Sequence, residues 1–335
     1  MPAAGGSNEG AQKIAARLES PAERSIHPVL LDSEPEALAG LFMNKGVWHA
    51  LIAYALWGLL PVYWKWLHGV PALQLIAHRV VWSFLGLALV LWLSGQISEL
   101  RPSGLSRRAI RTYLVSALLI GANWLLYVWA VNAGFIVETS LGYFINPLLS
   151  VSLGVLVFRE RLRRLQWVAV GIAVAGVFQL TFAYGRLPWI ALALAGTFAA
   201  YGLVKKTAPL GPLVGLAIET GLLLIPSVIV LGWSEARGGG SLAHGSPTTL
   251  ALLVGAGVVT TVPFVLFSSA AQRIPLSLIG LLQYTAPTLQ FLIGVFLFRE
   301  PFTRLQFYGF ALVWIALAIF AIEGVAARRS NQSAR

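Results

Sequence analysis

Arg79, Ser83 and Gly86 stand at i, i+4 and i+7 of the apolar run "LIAHRVVWSFLG", so they share one face of any helix built there, with His78 and Trp82 on the adjacent face. A guanidinium in such a setting offers a fork of donors to an anionic or carbonyl group of a ligand. The alternative is a structural pair of Arg79 with Glu138 or Glu219. Glu219, in "LAIETGLLLIP", lies deep in its apolar run and is the better candidate for a proton-linked group or arginine partner. Glu138, in "GFIVETSLG", sits near the start of its run, where it can reach interfacial water. With His78 these carboxylates form the candidate coupling or charge-pair set. Neutral polar groups add a second layer: Asn123 and Tyr127, four apart in "NWLLYVWAVN"; Tyr143 and Asn146, three apart in "LGYFINP"; Gln283 and Tyr284 in "LLQYTAPTLQ". Pro147 and Pro287 follow the last two sets, and each removes a backbone donor and frees a carbonyl. Two helices broken at matching positions would point to a ligand site; the alternative is a kink that only shapes packing. Trp124, Trp129 and the other tryptophans read as belt or packing residues, and Lys65 as a side chain snorkelling to an interface.

No HExxH, CxxC, GxSxG or P-loop pattern occurs, and the chain has no cysteine. No cofactor or metal is therefore expected. The net charge of +11 comes from scattered short clusters and not from a basic face with interleaved aromatics, which argues against nucleic acid as a partner.

The elements that must position these residues follow from composition. Of 335 residues 57% are apolar and 11% charged, against about 25% charged in ordinary soluble domains, and mean hydropathy is +0.76. A lipid bilayer is the expected solvent. Ten stretches approach the roughly 20 apolar residues a spanning helix needs: 46–66, 73–93, 112–131, 135–157, 165–183, 187–204, 211–233, 249–270, 275–297 and 305–324. With the N-terminus inside, fourteen Lys and Arg fall in the inner connections and C-terminal tail, among them Lys205 and Lys206, and four in the outer loops. This bias predicts both termini in the cytoplasm. Residues 1–44 read as a disordered cytoplasmic tail without signal-peptide character, and 326–335 as a second tail.

"SLGYFINPLLSVSLGVLVFRERLRRLQ" from Ser140 and "GLLQYTAPTLQFLIGVFLFREPFTRLQ" from Gly280 match without a gap at eleven of 27 positions, including Pro147/Pro287 and the Phe-Arg-Glu triplets at 158–160 and 298–300. Each copy is fourth in a set of five spans. Five is odd, so the second set crosses in the opposite sense. The expected fold is all-α: a polytopic membrane protein of ten transmembrane helices in two inverted five-helix repeats, 45–184 and 185–325. Such repeats can exchange shapes and so move a central site from one face to the other.

The stretches "AYALWGLLPVYWK", "VPALQLIAHRVVWS", "NWLLYVWAVNAGFIVETSLGYFINPLLS", "FRERLRRLQW", "LPWIALALAGTFAAYGLVKK" and "IPLSLIGLLQYTAPTLQF" resemble the RarD family, EamA-type members of the drug/metabolite transporter superfamily. The resemblance covers residues 45–325. It implies an inner-membrane permease with a central cavity lined by the first four helices of each half. The expected activity is secondary transport of a small organic metabolite or an amphenicol-type drug, and with no P-loop in the chain the energy comes from a solute gradient or from a proton or other coupling ion. The competing classes are a membrane-embedded scaffold or enzyme without transport.

Overall fold

The computed structural model describes residues 44–100, 106–133, 135–184, 187–297, 299 and 304–333, and every regular element among them is helical. The helices are α1 (Lys45–Trp66), α2 (Ala72–Leu93), α3 (Arg107–Asn132), α4 (Ile136–Phe158), α5 (Arg164–Tyr184), α6 (Trp189–Lys206), α7 (Pro212–Ala236), α8 (Pro247–Arg273), α9 (Leu276–Gln283), α10 (Thr285–Leu292) and α11 (Arg304–Ser333). Their starts are written in the sequence. The Asn44 side chain accepts from the Gly46 amide at 2.8 Å, Ser246 caps α8 through Thr249, and Pro212 and Pro247 occupy first-turn positions where a missing N–H does no harm.

Among the described residues, seven helical stretches are long and apolar enough to cross a membrane: Lys45–Trp66, Ala72–Leu93, Arg107–Ala130, Leu141–Phe158, Pro212–Ala236, Pro247–Arg273 and Leu276–Leu297. α6 is membrane-length, but Lys205 and Lys206 lower its mean hydropathy; α5 and α11 carry the shorter apolar runs Arg164–Gln179 and Phe307–Ile319. Large side chains such as Leu156, Phe182 and Phe296 stand three-quarters exposed on the outside of the bundle. In water such a surface would aggregate; in lipid it is the solvated one. The segment expected to be a C-terminal tail continues α11 as helix to Ser333, because nothing after Gly324 breaks the strong helix formers Ala and Arg. Residues 1–43 and the turn residues Glu300, Pro301 and Thr303 lie outside the described residues.

Spacing in the structure repeats the spacing in the sequence. α2 and α7 start at 72 and 212, α3 and α8 at 107 and 247, α4 and α9 at 136 and 276, α5 and α11 at 164 and 304, each pair 140 residues apart. Packing follows the same exchange: α4 lies on α6 as α9 and α10 lie on α1, while α2 meets α7 and α5 meets α11. Arg159 and Arg299, again 140 apart, share a left-handed backbone at φ 54°, the only non-glycine residues so placed among those described.

The turn after α4 shows what the Phe-Arg-Glu triplet does. Left-handed Arg159 ends the helix, and Glu160 turns back so that its two carboxylate oxygens accept from the amides of Leu276 (2.7 Å) and Ser277 (2.8 Å). Those amides open α9, where the helix dipole favours an anion. Gly154 is required beside them: a Cβ there would stand 2.5 Å from Glu160 Oε2 and 2.7 Å from the Ser277 nitrogen. Glu160→Gln keeps the shape but loses the charge and one acceptor. We expect it to cost about 1–3 kcal/mol, read as a lower thermal unfolding temperature in detergent.

Proline acts differently in the two copies. α4 runs unbroken through Pro147, because one missing bond is tolerated in a helix packed between α6 and α9; the break expected there is not found. The second copy does break. α9 ends at Gln283, the residue whose carbonyl Pro287 would have bonded, and after α10 the backbone passes into a π turn at Ile293–Leu297.

Candidate functional site

Arg79 projects from the first third of α2 into a nest built by four other helices. Its Nε donates to Thr260 Oγ1 of α8 at 2.9 Å. Its guanidinium carbon stands 5.1 Å from the ring centroid of Trp64 on α1 and 4.8 Å from that of Trp124 on α3. Both lie within cation–π range. Tyr127 of α3 and Tyr143 of α4 have ring centroids 6.4 Å apart and lie within electrostatic reach of the guanidinium. They are 38% and 40% exposed, the least covered side chains of the nest. Among the described residues no carboxylate pairs with Arg79. The alternative of a structural pair with Glu138 or Glu219 is not found, because both carboxylates are engaged elsewhere. Trp124, read from sequence as belt or packing, belongs to the nest.

Glu219 is buried and takes three partners: Lys205 Nζ at 2.8 Å and Ser116 Oγ at 2.7 Å on Oε1, and the Tyr201 hydroxyl at 3.1 Å on Oε2. Both side chains of the Lys205–Glu219 pair are 1% exposed. Lys205 also faces the rings of Tyr113 (5.6 Å) and Tyr201 (5.7 Å). Reading Lys205 as a loop cation was therefore wrong: the last turn of α6 folds inward because a carboxylate waits one helix away. A narrow cavity with room for about one water molecule separates the two charged centres. Its lining includes Glu219, Tyr201 and Thr220 together with Ser83, Trp124 and Thr260, the last of which holds Arg79. Arg79 and Glu219 are each seven residues into helices whose starts lie 140 apart, so the repeat places opposite charges at one position of its two copies.

The EamA-like transporter family model matches residues 44–182 and again residues 187–322. The chain belongs to the EamA-like transporter family. Within it the chain is similar to the RarD proteins: it is 45% identical to "Protein RarD" of Streptomyces exfoliatus over 310 residues, 90% of this chain and 94% of that one. It is also 43% identical to "Uncharacterized transporter YojE" of Bacillus subtilis (strain 168) over 298 residues, covering 87% and 98%. A protein crystal structure with 18% identity superposes with a TM-score of 0.65 over 83% of this chain and 98% of its own, a likeness of fold alone.

The other polar residues of this EamA-type chain divide between the cavity and the helix contacts. Ser83 lines the cavity while its hydroxyl donates to the Gly257 carbonyl at 3.0 Å. Asn123 and Tyr127 do not act together: the Asn123 amide donates to Leu194 O and Thr197 Oγ1, both 2.9 Å away on α6. Tyr143 and Asn146 separate likewise, the first partly exposed and the second buried with its carbonyl oxygen unpaired. Tyr284 is fully buried, and its hydroxyl donates to Phe144 O at 3.2 Å, 140 residues away across the contact of α4 with α9. Gln283 is buried beside it with Oε1 unpaired. Glu138, in the first turn of α4, is buried; its Oε1 accepts from the Ile190 amide at 2.7 Å and caps α6. His78 is buried with both ring nitrogens unbonded, so the structure gives it no charge partner at ion-pair distance among the described residues.

Proposed function

We propose that the chain is a secondary transporter that moves a small organic solute, a metabolite or an amphenicol-type drug, across the inner membrane by alternating access. Ten crossings in two inverted repeats, 45–184 and 185–325, carry it, with both termini in the cytoplasm. A relative that covers almost the same length is described as a transporter, and the 140-residue spacing of helix starts and the exchanged packing partners support two equivalent halves.

The observation that carries the reading is Arg79: a cation inside an apolar bundle, held by one hydroxyl and two indole faces, next to a cavity that reaches a buried ion pair at the equivalent position of the other half. Charges at membrane depth are retained where they serve a ligand or ion path. Asymmetry between the two ends supports one state of a cycle. At the end where α1 begins, Glu160 clamps α9, Lys206 donates to Ile274 O, and Lys205 pairs with Glu219. At the other, Tyr127 and Tyr143 stand open. With the N-terminus inside, this state faces outward and is closed to the cytoplasm. Binding at Arg79 on one side and re-exposure on the other then need only that the clamp loosen and the tyrosine end close. Coupling an ion at Glu219 requires that its pair with Lys205 open during the cycle.

Arg79→Gln is expected to lower solute flux in sealed vesicles by more than about tenfold, the loss of a charge-assisted bond of about 1.5–3 kcal/mol, while leaving the protein folded. Flux equal to wild type would remove Arg79 from the path. No flux of amino acids, metabolites or amphenicols through the wild type would remove transport itself.

A further inference from the structure

We propose that the solute bound at Arg79 is an organic monoanion with a flat apolar body, an aromatic carboxylate or sulfonate in the simplest case, and that the membrane potential drives its movement. This rests on the transport reading and narrows its substrate, against an uncharged amphenicol.

Three ionic groups stand at the cavity or one contact from it: Glu219 lines it, Lys205 pairs with Glu219, and Arg79 donates to Thr260, which also lines it. Lys205 and Glu219 compensate each other at 2.8 Å, and the carboxylate is further satisfied by Ser116 and Tyr201. Arg79 is left as one uncompensated positive charge among the described residues. A medium of low dielectric penalises that charge unless it is paired. A monoanion brings the centre to zero; an uncharged or zwitterionic solute leaves it cationic, and a dianion overshoots.

The shape of the nest agrees with the charge. Nε is engaged by Thr260, and the terminal nitrogens of the guanidinium keep their donors, a fork that matches the two oxygens of a carboxylate. Trp64 and Trp124 present ring faces on the guanidinium, which favours a planar apolar body alongside. Tyr127 and Tyr143 add hydroxyl donors at the open end. The energetic consequence is direct. The loaded centre is neutral and the empty one carries the charge, so each cycle moves one net negative charge with the solute. An inside-negative potential then expels the anion from the cell.

The full-length protein in sealed proteoliposomes tests this with three labelled probes: benzenesulfonate, a permanent monoanion that does not leak as a neutral acid; phenylalanine, a zwitterion; and uncharged chloramphenicol. A tenfold potassium gradient directed inward, with valinomycin, makes the lumen positive. The expected result is about tenfold accumulation of benzenesulfonate, no response of the other two probes to the potential, and loss of the accumulation in Arg79→Gln with thermal stability within a few degrees of wild type. Potential-independent movement of chloramphenicol or phenylalanine, with benzenesulfonate excluded, would overturn the charge assignment and leave transport standing. Movement of none of the three would overturn both.

Discussion

Glu219→Ala is expected to destabilise the protein by about 3–5 kcal/mol, and Lys205→Ala by a similar amount, because each leaves the partner as a lone buried charge. Lys205→Met combined with Glu219→Leu is expected to recover most of that loss, since the desolvation of both ions disappears together. The pair invites this test because both side chains are 1% exposed, at 2.8 Å, with aromatic rings of Tyr113 and Tyr201 on the lysine side. Thermal unfolding of the detergent-purified single and double variants gives the coupling directly. If each single replacement shifted stability by less than about 1 kcal/mol, the value for an exposed pair, Glu219 would be a solvated carboxylate. It would then be free to exchange protons without breaking anything. The double variant carries a second readout: a stable protein that no longer transports would mean that the pair is part of the cycle and not only of the scaffold.

Much of the scaffold was legible because its causes are local. Apolar runs bounded by Pro212, Pro247, Pro71 and Ser246 are helices with written starts, and the twice-written Phe-Arg-Glu turn shows itself in two left-handed arginines. Arg79 and Glu219 stood out because charge in an apolar run needs a reason. Their partners did not, because partnership is decided across helices. Lys205 looked like the basic end of α6, and only the approach of α7 shows it turned inward. Nothing in the sequence around Glu138 points to the amide it accepts from, which comes from the start of α6 packed onto it. Trp64 and Trp124 were hidden among twelve tryptophans, with nothing in their own segments to single them out as partners of Arg79. Helical spacing put Asn123 with Tyr127, yet the amide found Leu194 and Thr197 on α6, since a buried amide takes whichever carbonyl lies within 3 Å and not the neighbour on its own helix. The repeat itself explains why the missing residues cluster: sequence shows the identity of the two copies, while the site arises where α2 and α7 carry opposite charges at one repeated position.

Gly257→Val is the change expected to disturb the centre most without touching a charge. A Cβ at Gly257 would stand 2.6 Å from both the carbonyl carbon and Cβ of Trp82 and 2.9 Å from the Ser83 nitrogen, and two of those atoms are backbone that cannot rotate away. α8 must therefore part from α2. The first casualty is the Ser83 hydroxyl's bond to Gly257 O. The second is the Arg79–Thr260 contact, since Thr260 stands three residues on from Gly257 along α8 and faces the same helix. Gly257→Ala already places the offending atom, so an overpacking loss of about 1–3 kcal/mol is expected for it, with valine adding two methyl groups to the same clash. Solute flux should fall more than tenfold in both. Gly232→Ala on α7 is the control: no atom lies within 4 Å of its added Cβ, and alanine in a helix interior gains up to about 1 kcal/mol over glycine. Should Gly257→Ala unfold at the wild-type temperature and transport at the wild-type rate, α2 and α8 would not be held at this separation during the cycle. Thr260 would then not be what orients Arg79. A loss of flux in a protein of normal stability is the more informative outcome, because it ties the spacing of two helices, set by a missing side chain, to the orientation of one guanidinium.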